Sequence, residues 1–130
     1  MQELIFKAEY PIFRTTLTKD GTTFKSVPEI LDALKSKVNA HPVATYIALF
    51  DHYAHTSSLE SGEIAPEIID AKNILFCFGK EIPSAEMLAV RPRSIGVAER
   101  QDDFVISFLK APNPAANEAM MTWVKSLQDR

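Results

Sequence analysis

Cysteine is almost absent from this chain: Cys77 stands alone among 130 residues. That excludes an intramolecular disulfide and any paired-cysteine metal or redox motif. Glycine is nearly as scarce, with four in all, so no glycine-rich loop is available to cradle a phosphate. Positive charge is not in excess. The formal net charge of −3 leaves no electrostatic case for nucleic acid or an anionic membrane surface, and neither is expected as a partner. No apolar run reaches the length that spans a bilayer. The opening MQELIFKAEYP has neither a basic leader nor the apolar stretch of a signal peptide, so the cytoplasm is the expected compartment. Ser-His-Asp, Walker-type, dinucleotide-binding and zinc-ribbon patterns are missing as well, and the residues name no reaction.

What is present has the composition of an ordinary globular protein, 46% apolar and 24% charged, in a length for which a single domain over 1–130 is the economical arrangement. Such a chain buries roughly two-thirds of its unfolded surface and needs no metal or disulfide to hold a core. Residues 73–126 are the most legible. They read as an apolar strand (Asn73–Gly79), a short helix (Ser84–Ala89), an Arg91-Pro92-Arg93 corner, a two-strand ribbon over Ser94–Lys110, and a helix opened by Asn113-Pro114, an N-cap residue followed by proline at the first helical position. Ala116, Ala119, Met120, Trp123, Val124 and Leu127 form the stripe of that last helix.

The first helix is equally well marked. Ser26-Val27-Pro28-Glu29 has capping-box spacing, and Val27, Ile30, Leu31, Leu34 and Val38 recur at three- and four-residue intervals until the pattern stops near Asn39. Before it, Leu4–Leu17 alternates imperfectly as one strand, with Pro11 as a bulge or edge position. After it, Val43–Tyr53 is apolar on both alternating faces, the pattern of an interior strand. The connection Ala54–Lys72 is long and acidic, and loops of this length tend to be functional or mobile.

The expected architecture is therefore α+β, with an antiparallel sheet of 4–5 strands and two main helices on one face, plus one short helix. Short links between consecutive strands cannot carry parallel crossovers. The opposite face, with Tyr46, Phe50, Leu75, Val105 and Leu109 as its candidate apolar residues, is expected to be greasy and to be covered by a second subunit or by the acidic loop.

The run Phe78-Gly79, a short helix ending near Val90, Arg91-Pro92-Arg93, an apolar strand closing on Glu99, a hairpin and then Pro112 resembles the DUF302 family of small bacterial proteins. The resemblance covers about residues 72–112. It implies a β-α-β4-α order of the TATA-binding-protein-like type, and it brings no catalytic residues with it.

Several residues carry possible chemistry. Lys80, Arg91 and Arg93 flank the short helix and could form an anion site, or pair with Glu81, Glu86 or Glu99 on a solvated rim. Arg93 and Glu99 bracket one strand and would be the working pair of an enzyme acting on a small acid. His52 and His55 are imidazoles that could hold a metal ion or haem, which requires the strand to end at His52, because a spacing of three on an extended strand turns the rings to opposite faces. Cys77 reads as a small core residue, or as a thiol beside His52 if the two long strands bring them together. The expected function is non-enzymatic binding of a small-molecule ligand or a protein partner by a homodimer, with ligand contacts from Arg93, Glu99, Arg91, Lys80 and His52. The alternative is a metal- or haem-associated redox protein using His52, His55 or Cys77.

Overall fold

A computed structural model describes residues 1–129. Six strands form one open antiparallel sheet in the order β1-β2-β6-β5-β4-β3. They are β1 (Gln2–Phe6), β2 (Tyr10–Thr18), β3 (Ala44–Asp51), β4 (Asp70–Phe78), β5 (Arg93–Glu99) and β6 (Asp103–Leu109). Three α-helices accompany them, α1 (Val27–Ala40), α2 (His52–Ser57) and α3 (Pro114–Lys125), with short 3₁₀ turns at Lys19–Gly21 and Ala85–Val90.

The helix boundaries follow from their caps. Ser26 accepts the Glu29 amide at 3.3 Å while the Glu29 carboxylate reaches back to the Lys25 amide at 2.9 Å. At α3, the Asn113 side chain accepts the Ala115 amide at 2.9 Å ahead of Pro114. Val27, Ile30, Leu31, Leu34 and Val38 are fully buried, and α1 lies against β3, β4 and β5. Each such side chain removed from water contributes on the order of 1.5–3 kcal/mol. Ile74 and Phe76 of β4, Ile95 and Val97 of β5, and Phe104, Ile106 and Phe108 of β6 meet them from the sheet, joined by Met120, Trp123 and Val124 of α3.

The sheet has more strands than the expected 4–5, and the element order is not β-α-β4-α. The single N-terminal strand is a hairpin. Lys7 and Ala8 turn the chain at φ 53° and 62°, and Phe6 pairs with Tyr10. Neither residue is a glycine, asparagine or aspartate, so the turn carries no sequence signal. The run Val43–Tyr53 is not one interior strand either. Asp51 ends β3 by capping α2, its side chain accepting the Ala54 amide at 2.9 Å, and α2 separates β3 from β4. β3 lies at the open edge of the sheet, with a register shift between Tyr46 and Ala48. Ile47, Leu49 and Phe50 are accordingly exposed. In the long connection, the helical residues are His52–Ser57, and Ala65–Ile68 adds a single turn in which the Ile68 amide donates to the Ala65 carbonyl at 3.0 Å, ahead of β4 at Asp70.

The face away from α1 and α3 mixes apolar and polar groups. Ile12, Leu75, Cys77, Ala98 and Val105 alternate there with Arg14, Asn73, Ser94 and Ser107, so it is less greasy than expected. Tyr46 belongs to the other, helix-covered face, paired with Phe76 and packed against the core. The segment after β3 covers part of the mixed face: His52, Tyr53, Ile64, Ala65 and Ile68 gather with Ala71 around a cavity of about 180 Å³. No helix among the described residues is long and apolar enough to cross a membrane.

Candidate functional site

The last residues of β4 and the first of β5 lie side by side, Phe76 opposite Arg93. Beyond Phe76, the Phe78 ring stacks on Trp123 of α3 with centroids 5.3 Å apart and planes 13° from parallel. His41, just past the end of α1, meets both rings edge-on at 5.3 and 5.8 Å. These aromatic contacts fix one wall of a cavity of about 150 Å³. Val43, Met87 and Val90 add apolar surface, and Ala111, Pro112 and Asn113 with Ala115 and Ala116 of α3 close the other side.

Arg93 lines this cavity and is only 8% exposed. Its Nη1 donates to the Val90 carbonyl at 3.3 Å and its Nη2 to the Leu109 carbonyl. Its Nε–H is buried without a partner. No ion pair among the described residues reaches it. Burial alone lowers its pKa, yet a guanidinium keeps its proton in a protein, so a whole positive charge sits in a poorly solvated place with only neutral acceptors. That is an expensive arrangement, since a buried charge ordinarily carries a counter-charge.

Neighbouring residues shape the same place. Arg91 lines the cavity and donates Nη1 to the Glu81 carbonyl at 2.7 Å. Its guanidinium lies so close over Gly79 that a β-carbon there would stand 2.8 Å from Nη2, and Gly79 has φ +100°. Glycine is the residue that permits both. The bond between Arg91 and Pro92 is cis. Asn117 is buried and grips the loop before α3, accepting the Ala111 amide at 2.7 Å and donating to the Ala111 carbonyl at 2.8 Å. The Nδ1 of His41 accepts the Val43 amide at 3.2 Å, so in the neutral ring the hydrogen sits on Nε2. A more open groove, lined by Lys80, Glu81 and Pro83, shares Val43, Gly79, Met87, Arg91 and Asn113 with the cavity.

Of the residues singled out from sequence, the structure thus brings Arg91 and Arg93 to one cavity and Lys80 to its mouth. It does not bring Glu99 there. Glu99 closes the far end of β5, roughly 20 Å from Arg93 at strand spacing, and its carboxylate binds Lys19 Nζ at 2.7 Å. The rim pairs with Glu81 and Glu86 are not formed either; Arg91 meets Glu81 through its backbone carbonyl. His52 is also at the far end, its Nδ1 3.5 Å from the Asn73 Oδ1. The strand does end before His52, so His52 and His55 share the first turn of α2, with ring centroids 6.4 Å apart. Phe50 packs on both rings. Among the described residues no third histidine, cysteine or carboxylate joins them, so the pair alone does not complete a metal site. Cys77 pairs with Thr45 across β3 and β4, several residues from His52, which removes the base its thiol would need. His41 and Asn117 had no motif to mark them.

The far end of the sheet is instead a set of matched charges. Lys72 Nζ binds Asp70 at 2.9 Å and Asp51 at 3.0 Å. Arg100 forms a two-pronged bond to Asp103 at 2.7 and 2.8 Å. Hydrogen bonds hold both carboxyls below their ordinary range, from the Ala54 amide and then Lys72 at Asp51, and from Arg100 at Asp103. At Lys72 burial pulls the pKa down, but the bonds to Asp70 and Asp51 outweigh it and leave it raised.

Comparison with known proteins gives one family. The chain belongs to a family of unknown function, DUF6858, whose profile matches residues 1–129. No curated protein and no solved structure matches it.

Proposed function

We propose that this member of the DUF6858 family is a non-enzymatic binding domain that holds a small molecule in the cavity at the Arg93 end of the sheet. The observation that carries this reading is a mostly apolar, partly open cavity lined by one buried guanidinium that no carboxylate among the described residues neutralises. Small-molecule sites are commonly apolar concavities with a few convergent polar groups. Arg91 lines the wall, and the mouth carries Lys80 beside Glu81. In this reading Glu99 and His52 take no part in binding. The redox alternative through His52, His55 or Cys77 is not favoured, because Cys77 lies away from the two histidines and, among the described residues, no third ligating group joins His52 and His55.

The likeness to DUF302 proteins and a cytoplasmic setting remain parts of the proposal, resting on the order of turn residues and on the lone cysteine. A homodimer joined through the uncovered sheet face is a further part, favoured by the exposed Phe50 and Leu109 there. Sedimentation at micromolar concentration showing only a 14.5 kDa species would remove it.

Native mass spectrometry of protein taken directly from cells tests the ligand reading. The expected result is a retained small molecule that is lost in Ala115→Phe, where the new ring fills the cavity from an exposed helix position. A species of unadorned mass from both proteins, or a ligand retained equally by both, would overturn it.

A further inference from the structure

We propose that the ligand of this cavity is a compact apolar monocarboxylate of about six to ten non-hydrogen atoms, its carboxylate held by Arg93 beside the first turn of α3. This deepens the reading of the cavity as the ligand site and rests on it.

Size comes first. The cavity is partly open and has a volume of about 150 Å³, of the order that accommodates a benzene ring. The walls decide the chemistry of most of the ligand. Val43, Phe78, Val90 and Ala116 offer it no hydrogen-bond partners from their side chains, so polar atoms placed against them would be desolvated without compensation.

The charge of the ligand follows from what surrounds it. No aspartate or glutamate lines the cavity, while two arginines do. Arg93 is more than nine-tenths buried, and its Nε–H has no partner. Its two recorded bonds go to carbonyls, which leave its charge uncompensated. The start of α3 adds to the same field. Asn113 caps the Ala115 amide and Pro114 has none, and the helix dipole places partial positive charge at this wall. His41, whose Nδ1 accepts the Val43 amide, also lines the cavity.

A carboxylate answers these groups better than a phosphate does. The Val90 and Leu109 carbonyls each take one N–H of the Arg93 Nη groups, and the N–H donors that remain suit the few oxygens of a single carboxylate. A phosphate brings more oxygens than a carboxylate does, and even with Arg91 beside Arg93 the apolar walls offer the remaining ones nothing.

Isothermal titration with benzoate, isovalerate, benzyl alcohol and inorganic phosphate tests the proposal. At least one acid is expected to bind the wild-type protein roughly ten- to hundredfold more tightly than benzyl alcohol, the margin of a charged hydrogen-bonded pair, and phosphate is expected not to compete. Arg93→Gln removes the charge and should abolish that margin. Because Arg93 also bonds two carbonyls, Ala115→Asp serves as a second variant. It lies at an exposed position at the helix start, where a carboxylate favours the helix, and it sets a like charge beside the site. Because Ala115 lines the cavity, the readout is the ratio: acid binding should weaken about tenfold or more relative to benzyl alcohol.

Benzyl alcohol binding as tightly as the acids would overturn the carboxylate assignment and leave the cavity as the ligand site. Tighter binding of phosphate would overturn it in the same way. Acid binding that survives both Arg93→Gln and Ala115→Phe would show that the acids bind elsewhere, and the cavity reading would fall with the proposal. No binding of either acid at millimolar concentration would also overturn the proposal, and the mass of any molecule retained from cells would then decide the cavity reading separately.

Discussion

The two ends of strands β4 and β5 differ in how they treat charge. At the Asp70–Glu99 end, Lys72, Lys19 and Arg100 each meet a carboxylate within 3.0 Å. At the Phe76–Arg93 end, a more deeply buried cation meets only carbonyls. One sheet, in one chain, thus carries both solutions about 20 Å apart. Where charges serve only the fold, the chain supplies both signs. Where it supplies one sign and an adjacent cavity, the proposed ligand would supply the second. On that proposal, the difference separates a structural use of arginine and lysine from a binding use more clearly than the residue types themselves do.

The comparison can be broken or sharpened by substitution. Asn117→Ala should have the largest effect, about 2–4 kcal/mol of lost stability, because it strands the buried Ala111 amide and carbonyl. It should also loosen the cavity wall, read as faster amide exchange over residues 110–116. An unchanged urea midpoint would show that the loop before α3 is held by something else. Lys72→Met should cost less, about 0.5–1 kcal/mol, since partial exposure screens its pairs. A loss several times larger would mean that the ion-paired end is a structural keystone rather than a trimmed surface.

Acid should act on the paired end. Asp51 and Asp103 have folded pKa values below the ordinary 3.8. Their contribution is present above about pH 4 and is lost as the pH falls through the lower folded values. Lys72, whose pKa is raised, contributes fully below its ordinary value near 10.5 and loses that contribution only as the pH rises through the folded value. Asp103→Asn should therefore flatten the decline of the melting temperature below pH 4, and an unaltered slope would contradict the assignment. The Arg93 end holds no carboxylate within the cavity, so it should add nothing to that decline.

Much of this comparison could be read before the fold was known. Caps at Ser26 and Asn113 and the stripes behind them mark α1 and α3 because side-chain spacing and terminal hydrogen bonds are local properties. The cationic corner at Arg91 and Arg93 stood out for the same reason. What stayed hidden depends on contacts distant in sequence or on backbone that the residues do not advertise. The Lys7-Ala8 turn uses positive φ without glycine. α2 begins inside an apolar run that alternates like a strand, and only the Asp51 cap betrays it. His41 and Asn117 gain their roles from Phe78, Trp123 and Ala111, up to 82 positions away for His41 and Trp123. Glu99 joined Arg93 as a candidate because both bracket β5, yet strand geometry already places them at opposite ends.

The central claim is that Arg93 is buried for a ligand and not for the fold. Urea unfolding of the ligand-free Arg93→Met protein tests it most directly. The account predicts stability within about 1 kcal/mol of wild type, or above it, because relief of an uncompensated buried charge offsets the lost bonds to the Val90 and Leu109 carbonyls. A loss of about 3 kcal/mol or more, the cost of removing one partner from a satisfied buried pair, would make Arg93 a structural residue and contradict the account.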